Sequence, residues 1–223
     1  MKVEFIEARY TGRVAISKKD IDSLPKSIGL CATVQFLDSL ESIKIQIEKT
    51  KRKVSLIETN NAKYCGQILG CSKIKSMKNK SKNFDAIDAI LYIGDGNFHP
   101  VQMKLEFPGK VFAYNPFSKK LTEIIDVDKY EKREKGMLLK FLTSKNIGII
   151  ISTKPGQRFG DIGKLMKKYP DKKFYRFLFD TIDYHQLENF NFIDIWVNTA
   201  CPRIGVEDAE ENKLKIINIE KII

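Results

Sequence analysis

The stretch GLCATVQFLDSLESIKIQIE, residues 29–48, combines two patterns of apolar residues. Its first part is rich in apolar and β-branched residues, which predicts a buried strand over 29–36. Its second part, 37–48, places apolar residues near helical spacing, which predicts a helix with one buried face. Because a strand followed directly by a helix is the beginning of a βαβ unit, the stretch predicts an α/β fold.

The same alternation occurs in both halves of the chain. Further strands are predicted at VSLIE (54–58), DAILYIGDG (88–96), KVFAYNP (110–116), GIIISTK (148–154), FYRFLFD (174–180) and FIDIWV (192–197), with a helix at 159–169. The first two strands begin 25 residues apart in the first half and 26 residues apart in the second. The charged helical stretch 126–145 separates the halves. The sequence therefore predicts two related α/β domains, 1–126 and 127–223, with mostly parallel sheets flanked by helices.

Composition limits the class of protein. The chain has 223 residues, of which 43% are hydrophobic, and this is enough for one large or two small cores. No apolar run approaches the roughly 20 residues of a membrane span, and charges interrupt the N-terminal segment, so we expect neither a membrane helix nor a signal peptide. Four cysteines in a chain of this length do not make a disulfide scaffold. We therefore expect a reducing, cytoplasmic setting.

The formal net charge of +11 raises the question of an anionic partner. Most of this charge is lysine spread along the chain, with one dense run at MKNKSKN (77–83). A lysine-rich solvated surface is therefore favoured over specific binding of RNA, DNA or the ribosome. The chain has only two histidines and no CxxC pair, which excludes a zinc finger.

Three segments follow predicted strands and carry the reactive side chains. They are AKYCGQILGCS (62–72), GDGNFHP (94–100) and NTACPRIGVED (198–208). Function in open α/β folds gathers at the carboxyl ends of the strands, where these segments lie. A single cysteine is usually a small hydrophobic residue, and we expect this of Cys31, inside its strand. Cys71 and Cys201 lie at element ends instead, and two converging thiolates would suit a soft metal or an iron–sulfur cluster.

The polar loops have simple local interpretations. On local pattern alone, Asp95 and His99 are turn and cap residues. The backbone amides of STKPGQRFGD (152–161) could hold an anion at a helix start. That stretch lacks the GxxxxGK[ST] order of a nucleotide-binding loop, and the chain has no GxGxxG, so nucleotide hydrolysis is excluded and dinucleotide binding is disfavoured.

Four motifs together resemble a known family. They are QILGCS (67–72), YIGDGNFHP (92–100), STKPGQ (152–157) and WVNTACPRIGVED (196–208). In this order they resemble the archaeal diphthamide-biosynthesis enzymes, the noncanonical radical S-adenosylmethionine family, and the last motif is especially specific. Members of that family have three similar α/β domains, each giving one cysteine to a central 4Fe-4S cluster. The chain resembles the second and third domains only, so the resemblance implies that Cys71 and Cys201 are metal ligands.

The resemblance also implies a reaction. In the family, the reduced cluster cleaves S-adenosylmethionine, and the 3-amino-3-carboxypropyl group is transferred to a histidine of translation elongation factor 2. Asp95, His99, Gln157 and Arg203 fall in family-like motifs, and we expect them to line one cleft and contact S-adenosylmethionine or the incoming histidine. Arg203 would place positive charge near the substrate carboxylate. No catalytic residue is assigned.

The resemblance implies a first domain with its own ligand cysteine, and we expect that domain to be absent before Met1. We expect a homo-oligomer or a partner chain that supplies the missing first domain, and we expect the chain alone to hold a labile cluster with little activity. Cys65 is a possible third ligand, although a spare cysteine in a turn is favoured. The alternatives are a noncatalytic subunit or degenerate paralogue of the enzyme, and a basic RNA- or ribosome-binding protein.

Overall fold

The computed structural model forms two compact units, Met1–Val127 (unit 1) and Asp128–Ile223 (unit 2). The structure describes residues 4, 6–59, 62–69, 77, 84–154, 157 and 161–223. Within these residues, no helix combines the length and the apolar character that crossing a membrane requires. The assignment of 1–126 and 127–223 to particular domains of a family stays a prediction.

Unit 1 contains a five-stranded sheet in the order β2-β1-β3-β4-β5. Its strands are β1 (Ser27–Ala32), β2 (Lys53–Leu56), β3 (Ala89–Ile93), β4 (Lys110–Asn115) and β5 (Lys120–Glu123). Its helices are α1 (Lys18–Ser23), α2 (Leu40–Glu48) and α3 (Phe98–Glu106), with 3-10 helices at Val34–Ser39 and Phe84–Ala86. The first four strands pair in parallel and β5 pairs antiparallel with β4.

The predicted strand 29–36 is too long, because β1 ends at Ala32. Ala32 still pairs with Ile93 of β3, but on its other side it bonds to the 62–69 segment and not to β2. Its amide donates to the carbonyl of Gly66 (2.9 Å), and its carbonyl accepts from the amide of Ile68 (2.9 Å). The apolar residues that follow form a 3-10 helix whose buried side chains join the core. An apolar run alone does not distinguish a strand from a short buried helix.

Unit 2 contains a four-stranded sheet in the order β7-β6-β8-β9. Its strands, all parallel, are β6 (Asn146–Ser152), β7 (Lys173–Phe179), β8 (Ile195–Asn198) and β9 (Ile216–Asn218). Its helices are α4 (Asp128–Thr143), α5 (Ile162–Lys168), α6 (Tyr184–Leu187) and α7 (Glu207–Glu211), with 3-10 helices at Pro202–Gly205 and Ile219–Lys221.

Helices cover both faces of the unit 2 sheet. Successive strand residues point to opposite faces, and they divide between two buried clusters. Ile149 and Val197 pack in a cluster with Phe141 of α4 and Leu165 of α5. The other face includes Ile150, Trp196, Ile216, Leu187 of α6 and Ala209 of α7. Both units place their first four strands in the order second, first, third, fourth, which confirms the predicted α/β fold with mostly parallel sheets flanked by helices.

Candidate functional site

The carboxyl ends of β6, β7 and β8 open into a pocket of unit 2 with a volume of about 260 Å³. Its lining consists of Ser152, Lys154, Gln157, Asp180, Ile182, Tyr184, Cys201, Arg203, Ile204 and Asp208. Each of these residues follows a strand or ends one. This is the edge at which open α/β sheets bind their ligands. Three of the residues predicted from the motifs, Gln157, Cys201 and Arg203, therefore lie at one pocket.

Cys201 follows β8 and occupies the N-cap position of the 3-10 helix Pro202–Gly205. Its side chain is half-buried. The buried Asn198 side chain holds this turn, because its Nδ2 donates both to the Cys201 carbonyl (2.9 Å) and to Asn218 Oδ1 (2.7 Å). The Ala200 amide donates to Asn198 Oδ1 (3.0 Å). The backbone that carries the Cys201 sulfur is thus bonded on both sides.

Asn218 and Gly205 complete the support of the turn. Asn218 Nδ2 donates to the Pro202 carbonyl at 2.9 Å. A Cβ atom at Gly205 would overlap the Asn218 amide, so this approach requires glycine. Arg133 of α4 donates from Nη1 to the Gly205 carbonyl at 3.0 Å. The cysteine, proline and arginine of the motif therefore sit on a rigid platform at the end of β8.

Arg203 is bound by two carboxylates of the same motif. Its Nε lies 2.9 Å from Glu207 Oε2 and 3.3 Å from Asp208 Oδ1. Tyr184 donates its hydroxyl to the other oxygen of Asp208, Oδ2, at 2.7 Å. Burial raises the pKa of Tyr184, and the hydrogen bond to Asp208 raises it further. Burial also raises the pKa of Glu207, against the opposing effect of Arg203.

The opposite wall of the pocket comes from the chain after β6. Ser152 donates its hydroxyl to Gln157 Oε1 at 3.2 Å. The Lys154 amide donates to Ser152 Oγ at 3.2 Å. These bonds hold Gln157 at the pocket, and Lys154 adds a second cationic side chain beside Arg203. The lining thus combines two cations, Lys154 and Arg203, with two carboxylates, Asp180 and Asp208.

Asp95 and His99 belong to unit 1. Asp95 is exposed after β3, and His99 lies in the first turn of α3. The His99 ring stacks on Tyr92, with ring centroids 5.5 Å apart and an interplanar angle of 19°. Tyr92 Oη lies 3.4 Å from His99 Nδ1 and donates to the Asp95 carbonyl at 3.4 Å. Their contact with the same ligand as Gln157 and Arg203 stays a prediction.

The other cysteines differ in their surroundings. Cys31 is fully buried in β1, as predicted, and burial raises the pKa of its thiol. Cys65 is an exposed residue, but partial burial of its thiol, together with the nearby Glu58, raises the pKa of that thiol. Cys71 lies outside the described residues. Across the described part of the chain, no group of three or more His, Cys, Asp or Glu side chains could hold a metal ion.

Several supporting residues were missed from the sequence. Asn198 and Asp208 lie inside the motif at β8, but their partners Asn218 and Tyr184 lie in segments that carried no predicted element. β9 has only three residues and α6 only four. The regular parallel register pairs Asn198 with Asn218. Had β9 been recognised as a strand, its register with β8 would have predicted the contact between Asn198 and Asn218.

The chain is an α/β protein whose strand-end pocket combines a cysteine, two cations and an amide. It belongs to the family described as putative diphthamide synthesis protein, whose sequence model matches residues 2–219. It is similar to the 2-(3-amino-3-carboxypropyl)histidine synthase of Pyrococcus horikoshii, with 29% identity over 85% of this chain and 54% of that protein. It is also similar to the enzyme of the same name from Methanocaldococcus jannaschii, with 32% identity over 76% of this chain and 51% of that protein.

A subunit of a eukaryotic enzyme and a solved structure are also similar. The chain is 29% identical to 2-(3-amino-3-carboxypropyl)histidine synthase subunit 1 of Caenorhabditis elegans, over 82% of this chain and 46% of that protein. Dph2 from Pyrococcus horikoshii, solved with a 4Fe-4S cluster, superposes with a TM-score of 0.77 at 24% identity, over 95% of this chain and 62% of that one. The chain spans about half the length of the curated relatives that it matches.

Proposed function

We propose that this chain takes part in the transfer of the 3-amino-3-carboxypropyl group from S-adenosylmethionine to a histidine of translation elongation factor 2, the first step of diphthamide biosynthesis. One observation carries the proposal: Cys201, Arg203 and Gln157 meet at a strand-end pocket in a member of this family. Relatives along most of the chain are named as synthases of the corresponding modified histidine.

The pocket suits one ligand of an iron–sulfur cluster. Iron–sulfur clusters are held by cysteine thiolates, and Cys201 is a half-buried cysteine on a bonded turn. Lys154 and Arg203 line the same pocket, and nearby cations favour a thiolate over a thiol. We propose Cys71 as the second ligand and a cysteine outside this sequence as the third. When bound, the cluster supplies the electron that cleaves S-adenosylmethionine.

The side chains of the pocket bind and orient the substrate in this proposal. The shortest contacts of Arg203 with Glu207 and Asp208 are made from Nε, and its remaining N–H donors bind the carboxylate of S-adenosylmethionine. Gln157 offers its amide to the same ligand. Asp95 and His99 contact S-adenosylmethionine or the histidine of the protein substrate. The net charge of +11 steers the chain toward an acidic partner surface.

Turnover under anaerobic, reducing conditions tests the proposal. Purified chain is mixed with elongation factor 2 and S-adenosylmethionine, with and without an added chain that carries the family's first domain. We expect little transfer without the added chain, because two thiolates hold a cluster poorly, and restored transfer with it. Full transfer by the chain alone, retained in a Cys65→Ser variant, would contradict the need for an outside ligand. Transfer that disappears in that variant would make Cys65 the third ligand.

A second candidate is a noncatalytic subunit of the same enzyme. It is favoured by the relatives named subunit 1, since that name implies an assembly of different chains. The two proposals differ in the amount of iron that they predict the chain to bind. A noncatalytic subunit would raise the activity of a partner while binding no iron itself, and Cys201→Ser would leave that stimulation unchanged.

A further inference from the structure

Tyr184 and Asp208 connect to Arg203 from two different elements. Asp208 lies in α7, directly after the cysteine motif, whereas Tyr184 begins α6, after β7. Asp208 uses one oxygen for each neighbour: Oδ2 accepts from the Tyr184 hydroxyl at 2.7 Å, and Oδ1 lies 3.3 Å from Arg203 Nε. All three residues line the same pocket. The tyrosine thus reaches the arginine through one carboxylate.

We infer that Tyr184 and Asp208 are positioning residues that orient Arg203 to bind a carboxylate in the Cys201 pocket. The identity of the ligand, S-adenosylmethionine, rests on the proposed function. The orientation of the Arg203 side chain rests on the contacts alone. Nothing in the sequence motif indicates Tyr184, because it lies 17 residues before Cys201 and outside every motif.

The geometry of Arg203 carries the first step. Among the described residues, the shortest contacts of Arg203 with Glu207 and Asp208 are both made from Nε. A guanidinium has five N–H donors in a planar fork, so donors remain on Arg203 for a further carboxylate. The side chain of Arg203 is 53% exposed, whereas those of Glu207 and Asp208 are 22% exposed. A more exposed cation is therefore anchored on less exposed anions.

Tyr184 is itself firmly held, which a positioning residue requires. Asp183 caps α6 by accepting from the His185 amide at 3.0 Å, and this fixes the backbone on both sides of Tyr184. The Tyr184 ring packs against the buried cluster that includes Trp196 and Ile204. Because the ring is fixed, its hydroxyl fixes the rotamer of Asp208. The carboxylate then presents its other oxygen to Arg203.

The test removes one hydroxyl. Tyr184→Phe keeps the ring packing and deletes the bond to Asp208, and Tyr175→Phe is the matched control on β7, outside the pocket. The readout is the ¹⁵N–¹H resonance of Arg203 Nε in iron-free, full-length protein, assigned with Arg203→Lys. We expect Tyr184→Phe and Asp208→Asn to shift or broaden this resonance and the control to leave it unchanged. Titration with S-adenosylmethionine should give a dissociation constant that is weaker by roughly three- to tenfold in Tyr184→Phe, the cost of lost preorganisation.

Three outcomes would overturn the inference. They are an unchanged Arg203 resonance in Tyr184→Phe, a changed resonance with unchanged affinity for S-adenosylmethionine, and no response of Arg203 to S-adenosylmethionine in the wild-type protein. The proposed function is judged separately, because iron binding and turnover are measured on reconstituted protein and this resonance is measured without iron. A chain that binds no iron but shows the expected resonance changes would defeat the proposed function and leave the positioning role standing.

Discussion

Replacing Asn198 with alanine is expected to destabilise unit 2 by about 2–4 kcal/mol. Asn198 is 1% exposed, and its side chain makes three hydrogen bonds: to the Cys201 carbonyl, to Asn218 Oδ1 and from the Ala200 amide. Each intramolecular bond contributes about 1 kcal/mol net, and a buried partner that is left unsatisfied costs about 1–3 kcal/mol. Water that enters the vacated volume can bond to the groups left without a partner. We therefore expect the total loss of stability to be smaller than the sum of the largest costs for all three bonds.

The single tryptophan makes the measurement specific to this unit. Trp196 lies in β8, two residues before Asn198, and is 6% exposed. Its fluorescence in an equilibrium urea titration therefore reports the unfolding of unit 2. Asn189→Ala is the matched control, since Asn189 is exposed, and its effect should stay within about 0.5 kcal/mol. A loss below about 0.5 kcal/mol for Asn198→Ala would refute the reasoning that this network fixes the Cys201 turn.

The variant Asn198→Asp tests whether the hydrogen-bond donor of Asn198, and not only the shape of its side chain, stabilises the turn. The aspartate is almost isosteric, but it places an acceptor against both the Cys201 carbonyl and Asn218 Oδ1. Rotating the Asn218 amide to restore one contact would break its own bond to the Pro202 carbonyl. We expect a loss of stability at least as large as for alanine, together with faster thiol labelling of Cys201, followed by peptide mass spectrometry.

Two further perturbations have a defined sign. Gly205→Ala should destabilise unit 2 by about 1–3 kcal/mol, because the added methyl overlaps Asn218. Gly136 lies within α4 and a methyl group there would meet no other atom, so Gly136→Ala should stabilise unit 2 by up to about 1 kcal/mol. The urea titration followed by Trp196 fluorescence measures both changes. Arg9, and after it Tyr64, lowers the pKa of Glu7 from 4.5 to about 2. The stabilisation from Glu7 is therefore complete above pH 4.5 and is lost as the pH falls toward 2. The stability difference between wild type and Glu7→Gln, followed by circular dichroism, should shrink across that window, and a constant difference would contradict it.

The central strands were predictable because burial on both faces leaves a continuous apolar run. The run GIIISTK (148–154) corresponds to β6, Asn146–Ser152, and DAILYIGDG (88–96) to β3, Ala89–Ile93. The four partly exposed residues of β5 and the three residues of β9 give no such run. β5 and β9 were missed for this reason, with four and three residues each.

The segment GDGNFHP (94–100) was interpreted as a turn after a strand, yet α3 begins inside it at Phe98. Pro100 lies in the first helical turn, where the missing N–H costs nothing, so a proline there starts a helix rather than ending one. Local pattern could not separate these cases.

The candidate site was predictable only in part. Gln157, Cys201 and Arg203 follow strands of one parallel sheet, and the rule that strand ends share one edge was enough to expect them together. The supports of the site depend on contacts between distant segments. Tyr184 reaches Asp208 across 24 residues, and Asn198 reaches Asn218 across 20. Such contacts are set by packing and register, which a single sequence does not display.

The iron and sulfide bound per chain after anaerobic reconstitution test most directly whether Cys201 holds a cluster. We expect the wild-type chain to bind both and to lose them rapidly in air. Cys201→Ser and Cys71→Ser should lose most of the iron and the cluster absorbance, whereas Cys65→Ser, which alters an exposed cysteine, should keep them. Iron and sulfide at the wild-type level in Cys201→Ser, with an unchanged spectrum, would contradict the assignment of this pocket.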